Sequence, residues 1–392
     1  MTPALIETQL LLEALRIGQT AADWQAACDR AGVDRDHLAV RAIVLGLAPQ
    51  LRQRLKDWRL PIPPRATAKL AVTYQAQAQR NAGLFDQLAD VLRACAGRGL
   101  RAIALKGVHL AALIYPDPAL RPMNDIDLLF EPEALPEAEA LLEALGYGGK
   151  HKAAGSGPGV VKHTSTFKRP GAEAATPNPY LSAEAGRLIE PHTSLEESWF
   201  GLRVDITPGV RERAVETYLA GQPCRVLARE DLLLHLCVHF CFHVIAGSPA
   251  MVQLVDLAVV TAAGGVDWPT FTARAAERRA APYALAALSL ADRLLSAPVG
   301  QALPDLARST PPHLRARAAR LDLATLLART QQKPLVTLTD RLRRGLSDRA
   351  EAARWAPDWR GRWRVWQTAL RLHRTDTAQL ILKTVLAKNR IK

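Results

Sequence analysis

At 392 residues, 48% of them hydrophobic, the chain has material for two or three domains with real cores, which excludes wholesale disorder. No apolar run reaches the roughly 20 residues that span a bilayer. The opening Met1-Thr2-Pro3-Ala4-Leu5-Ile6-Glu7 lacks the basic-then-apolar layout of a secretory signal, so a cytoplasmic protein without a membrane span is expected. The net charge of +13 is uneven: residues 341–392 carry fourteen Lys and Arg against four Asp and Glu, an excess of ten that forms a basic tail. Such a tail is either a solvated helical face or a docking surface for an acidic protein or nucleic acid.

Residues 3–59 carry apolar positions at three-to-four spacing, interrupted near Ala21, Asp34 and Pro49, and read as a bundle of short helices. Pro61-Ile62-Pro63-Pro64 is a stiff break. A long helix is expected over about 66–97, stopped by Gly97-Arg98-Gly99. Arg101-Ala102-Ile103-Ala104-Leu105 reads as a short buried strand, Gly107 opens an amphipathic helix, and Asp125-Ile126-Asp127-Leu128-Leu129 reads as a second strand. An acidic helix follows around Pro132 to Leu145. Residues 160–168 and 187–192 look like strands, and the stretches 153–159 and 169–179 like mobile loops able to cover a substrate. Beyond Ala228 everything reads as helix. The expected organisation is a helical segment over 1–60, a small α/β core over 65–228 and a helical domain over 229–392 that ends in the basic tail: an α+β chain, mostly helical. The five cysteines, odd in number and set in apolar patterns, read as buried thiols.

The chemistry-bearing residues lie around Leu105-Lys106-Gly107 and, eighteen residues after that glycine, Asp125-Ile126-Asp127. On a strand, side chains two apart share a face, so Asp125 and Asp127 form a pair of hard oxygen donors suited to a divalent cation. A strand, a glycine turn and a helix N-terminus make an anion site, because the first helical amides lack intrahelical partners. His235, His239 and His243 follow one helical face, and Cys237 and Cys241 point away from it. Three histidines down a straight helix span about 12 Å, too far to share one metal, so these histidines are expected to touch polar groups of the site. Asp256, in an apolar helix, needs a partner, such as one of the histidines. In the tail, Trp359, Trp363 and Trp366 share one helical face among Arg360, Arg362 and Arg364, and packing against protein is the expectation for them.

Together these residues resemble the nucleotidyltransferase superfamily of the DNA polymerase β type. The likeness is closer to its little-characterised branch with an L-K-G…R…D-I-D-L-L pattern, carried here by Leu105-Lys106-Gly107, Arg121 and Asp125 to Leu129. Glu190-Pro191-His192 matches that branch's downstream E-x-H, and Leu232 to His239 resembles its helical L-x-x-H segment. The resemblance covers roughly residues 65–265 and implies a small mixed-sheet core. It also implies transfer of a nucleoside monophosphate from a nucleoside triphosphate, with Mg2+ or Mn2+ as cofactor, to a hydroxyl or phosphate of a small molecule, peptide or protein. Asp125, Asp127 and Glu190 would be the catalytic, metal-binding carboxylates, with Asp205 the rival for the third position. Lys106, Gly107 and Arg121 would bind the nucleotide, although Arg121 could instead pair with an aspartate. His192, His235 and His239 would line the site. The chain departs from commoner members in carrying Lys-Gly where they carry Gly-Ser, a hydroxyl donor exchanged for a cation. A catalytically silent scaffold of the same fold and an RNA-terminal nucleotidyltransferase are the alternatives.

Overall fold

A computed structural model describes residues 2–151, 165–169, 188–330 and 338–368. Four short helices open the chain: α1 (Pro3–Leu15), α2 (Ala21–Ala31), α3 (Arg35–Val44) and α4 (Ala48–Asp57). Thr20 and Asp34 cap α2 and α3 by accepting from the amides of Asp23 and Asp36, and prolines occupy the first turns of α1 and α4. The long helix α5 (Pro64–Gly97) starts directly after the Pro61-Ile62-Pro63 break.

The α/β core follows: β1 (Ile103–Ala104), α6 (Lys106–Leu113), β2 (Asp125–Leu129), α7 (Leu135–Ala144), β3 (Gly148–His151), β4 (Ser165–Lys168), β5 (Leu188–His192), β6 (Glu196–Trp199), β7 (Leu202–Asp205), α8 (Val210–Arg213), β8 (Val215–Leu219) and β9 (Gln222–Val226). Then come α9 (Arg229–Ala246), α10 (Met251–Ala262), α11 (Trp268–Glu277), α12 (Ala281–Leu295), α13 (Leu303–Arg308), α14 (Pro312–Ala319), α15 (Leu323–Thr330) and α16 (Leu338–Arg354), with residues 359–368 helical as well. Seven strands form one mixed sheet in the order β3-β4-β5-β2-β1-β9-β8, while β6 and β7 pair separately. The architecture is α+β and mostly helical, as the sequence pattern led us to expect.

Alternation along β2 decides what faces what. Ile126 and Leu128 join Leu84, Leu88 and Leu141 in one apolar cluster under the sheet, on the side of α5 and α7. Asp125 and Asp127 therefore project from the opposite face, where a larger cluster gathers α9, α10 and α12 together with the N-terminal helices. All five cysteines are buried free thiols. Among the described residues no helix is long and apolar enough to cross a membrane.

Several strands escaped the sequence pattern. The β8–β9 hairpin turns on Ala220-Gly221, both at positive φ, so the turn is hidden behind an alanine where Asn or Gly would have announced it. The loops expected over 153–159 and 170–179, and residues 160–164 of the expected strand, lie outside the described residues.

The tail helix needs a correction. Trp359, Trp363 and Trp366 are 71%, 55% and 40% exposed, not packed against protein. The helix instead turns Gly361 and Val365 inward. It comes so close that a Cβ on Gly201 would stand 3.1 Å from the Arg364 carbonyl oxygen. A small-residue face permits that approach and a tryptophan face does not. Trp355, by contrast, is fully buried, stacked on Tyr283 and bonded through its indole N–H to Glu351.

Trp355→Ala should therefore cost about 3–5 kcal/mol of stability, whereas Trp363→Ala should stay within about 0.5 kcal/mol. Denaturant unfolding of the two variants beside the parent checks the contrast.

Candidate functional site

The site is built on the parallel pairing of β2 with β5. Its register sets Asp127 opposite Glu190 and Leu129 opposite His192, so an acid from each strand meets on one face. Asp127 is buried between two partners: Lys106 Nζ lies 3.0 Å from its Oδ2 and His192 Nε2 lies 2.8 Å from its Oδ1. One ligand atom each from Asp127, Glu190 and His192 falls within 4.8 Å of the others. Glu190 is half-buried and accepts from the Thr166 hydroxyl at 3.2 Å.

The charges are unequal. Burial alone would raise the Asp127 pKa, but Lys106 and His192 outweigh it and hold that carboxyl well below the usual range. Asp125 lacks such close partners; burial, then the charges of Asp127 and Glu190, push it up to about 7 against the opposing pull of Lys106 and Arg121. Burial disfavours the Lys106 ammonium, yet Asp127, Asp125 and Glu197 together raise its pKa. The group that the structure brings together, Asp127, Glu190 and His192, offers two carboxylates and an imidazole, ligand types that can hold a divalent cation, and Asp125 lies beside it on the same strand face.

The turn carrying Lys106 is tight. Lys106 starts α6 at φ +36°, unusual for a residue with a side chain, and leans on Asp127 from there. A Cβ on Gly107 would meet Arg121 Nη1 at 3.0 Å and Met123 at 3.3 Å, so any larger residue there would push both side chains back. Arg121 thus abuts the turn, but its guanidinium is spent on Asp256, with Nη2 to Oδ2 at 2.8 Å and Nε to Oδ1 at 3.3 Å. Tyr115 donates its hydroxyl to the same carboxylate at 2.8 Å. Asp256 therefore finds its partners in Arg121 and Tyr115, not in a histidine, and Arg121 pairs with Asp256 where an aspartate of β2 was the alternative.

Asp205 stands apart from this group. It lies opposite Glu196 in the β6–β7 pair, and its carboxylate accepts from the amide and hydroxyl of Thr207. His239 Nδ1 lies 2.7 Å from Glu197 Oε1, and the buried His235 stands one turn earlier, with ring centroids 6.0 Å apart.

Sequence reasoning missed Glu197, which nothing distinguishes from its neighbour Glu196, and it missed the polar stripe of α5. Arg80 there donates to Asn124 Oδ1 at 2.8 Å, and Asn81 donates to the carbonyls of Pro118 and Arg121, fixing the loop that leads into β2. A signal existed: Thr73, Gln77, Arg80 and Asn81 fall at helical spacing on the buried side of α5.

Residues 31–296 match the protein family described as uncharacterised nucleotidyltransferase. The chain belongs to this family. As a member it is an NTP-dependent enzyme of nucleotidyl transfer. No curated protein matches the chain. Two solved structures are similar to it. One is the crystal structure of ANT(2")-Ia in complex with adenylyl-2"-tobramycin, at 16% identity over 50% of this chain and 96% of that chain, with a TM-score of 0.34. The other is the solution structure of the antibiotic-resistance factor ANT(2'')-Ia, at 15% identity over 51% of this chain and 92% of that chain, with a TM-score of 0.35.

Two outcomes follow from the charges around this family's site. Asp256→Ala would strand the buried Arg121 guanidinium and should lower stability by about 3–5 kcal/mol in denaturant unfolding. Because burial and the neighbouring carboxylates push Asp125 up to about 7, a cation held by it would have to displace a proton below that pH. If Asp125 is such a ligand, calorimetric Mn2+ affinity should be level above pH 7 and fall about tenfold per pH unit below it; Asp125→Asn should abolish that slope.

Proposed function

We propose that this nucleotidyltransferase is metal-dependent, with Mg2+ or Mn2+ held by Asp125, Asp127 and Glu190. It transfers a nucleoside monophosphate to a hydroxyl or phosphate of a small-molecule, peptide or protein acceptor. The observation that carries the reading is the β2–β5 register, which brings the acid of one strand opposite the acid of the next with Lys106 leaning on the pair. What a divalent cation supplies there, when bound, is Lewis-acid stabilisation of the charge developing on the attacking and leaving oxygens.

The chain's own residues do the rest. Lys106 leaves Asp127 for the triphosphate oxygens, carrying its positive charge to the nucleotide, while the amides after Gly107 donate to the same phosphates. The acceptor oxygen bonds to the α-phosphorus, the α–β phosphoanhydride bond breaks and pyrophosphate departs. Glu190, less buried than Asp127, is the carboxylate that takes the acceptor's proton in this reading. His192 keeps Asp127 ionised and oriented throughout. Arg121 acts here by bracing the turn from behind, its guanidinium anchored on Asp256. A cytoplasmic location suits an NTP consumer with five reduced thiols.

A second reading, transfer to an RNA terminus, is favoured by one observation: the outward tryptophans of the tail helix alternate with the exposed Arg360, Arg362 and Arg364, a pairing of stacking surfaces and cations suited to nucleic acid.

Incubation with each of the four α-labelled nucleoside triphosphates and Mg2+ or Mn2+, with cell lysate or RNA oligonucleotides as acceptor source, tests both readings. Label should move to a small molecule, peptide or protein, and Asp127→Asn should cut transfer at least about 100-fold. Label on RNA alone would establish the second reading. No transfer under any of these conditions by a folded protein would leave the silent-scaffold alternative.

A further inference from the structure

The three histidines on one face of α9 were poor metal ligands as a set, but β6 supplies what the helix lacks. We propose that Glu197, His235 and His239 form a second metal site, of the kind that takes Zn2+, separate from the carboxylates of β2 and β5. His235 and His239 are one helical turn apart and share a face of α9. Glu197 reaches them from β6, its Oε1 2.7 Å from His239 Nδ1, and one ligand atom from each of the three residues lies within 4.8 Å of the other two.

The set is bounded. His243, the next residue on the stripe, packs edge-on against the His239 ring at 4.5 Å between centroids while its Nδ1 lies 3.2 Å from the Ser248 carbonyl oxygen, which turns it away from Glu197. Cys241 donates to the Tyr283 carbonyl on another side of the helix. Glu197 is held in position by its hairpin, where it lies opposite Val204, and its neighbour Glu196 is clamped by both arms of the Arg203 guanidinium. A site of this kind is preformed without the metal, with the Glu197–His239 contact as its resting arrangement.

Donor chemistry selects the ion. Two imidazole nitrogens and one carboxylate suit Zn2+ and its transition-metal neighbours, whereas the carboxylate-rich group around Asp127 and Glu190, with His192 as its single imidazole, leans towards Mg2+ or Mn2+. Three protein ligands leave a coordination position for water or substrate. Access is one-sided, since the His235 ring is 1% exposed and the His239 side chain 12%. Lys106 lies within electrostatic reach of both groups, which makes the two sites neighbours.

The proposal stands apart from the transfer reaction, because metal uptake is read without turnover. Equilibrium dialysis of the full chain against Zn2+ with excess Mg2+, followed by elemental analysis, should find one equivalent of zinc retained by the parent. The Asp125→Asn/Asp127→Asn variant should retain it equally. His235→Ala and His239→Ala should weaken it by more than about 100-fold, since losing an outer partner alone costs about 10–100-fold. X-ray absorption on the zinc-loaded parent keeps the test decisive if those variants do not fold: two imidazole nitrogens in the inner shell support the site, because the group around Asp127 offers only His192. A shell with fewer than two imidazoles, no zinc in a folded Asp125→Asn/Asp127→Asn variant, or unchanged zinc in folded histidine variants would overturn it.

Discussion

The structure depends on keeping Asp127 ionised in a place with almost no water. Taking a carboxylate out of solvent costs several kcal/mol, and the offset must come from charge partners held in good geometry. Lys106 and His192 provide it from opposite sides, one from the start of α6 and the other from the end of β5. Their positions constrain much else. The His192 contact requires β5 to run parallel to β2 in one register. The Lys106 contact accompanies a backbone twist into positive φ, a conformation that costs of order 1–3 kcal/mol outside glycine. Asp125, two residues away, has no comparable support and remains the proton-sensitive member of the pair.

Around that centre a second buried pair ties the core to the helices beyond it. Arg121 and Asp256 come from parts of the chain 135 residues apart, and Tyr115 joins them. From the other side α5 grips the same loop through Arg80 and Asn81. The loop that delivers Arg121 to the back of the Lys106-Gly107 turn is thereby pinned from two sides, by Asp256 of α10 and by Arg80 and Asn81 of α5. Disturbance at α10 or α5 has a mechanical route to the site through side chains that carry no chemistry.

Where the sequence was legible, a single local rule was enough. Period-two alternation assigns Asp125 and Asp127 to one face and Ile126 and Leu128 to the other, and apolar spacing with proline and glycine stops outlines α5 and the helices after Arg229. It failed where partners lie far apart in the chain. Nothing near Arg121 signals Asp256, and nothing near Glu197 signals His239. The tail tryptophans illustrate a different limit: helical spacing tells which residues share a face but not which face turns inward, and there Gly361 and Val365 are buried while the helix backbone at Arg364 comes close to Gly201. The β8–β9 hairpin was lost because its chain-reversing residue is an alanine.

The larger hydrophobic cluster joins residues from both ends of the chain: Leu10 to Ala14 with Leu288 to Leu327, and the Ile17 amide donates to the Leu295 carbonyl. On a ribosome α1 can pack at once on α2, α3 and α4, but the part of its apolar face that meets α12 and α15 must wait for them. At about 5–20 residues per second that delay is roughly a quarter of a minute to a minute. During it Leu10, Leu11 and Leu12 have only the partners that α2, α3 and α4 supply, and the joint between α1 and the later helices is the last part of this cluster to close.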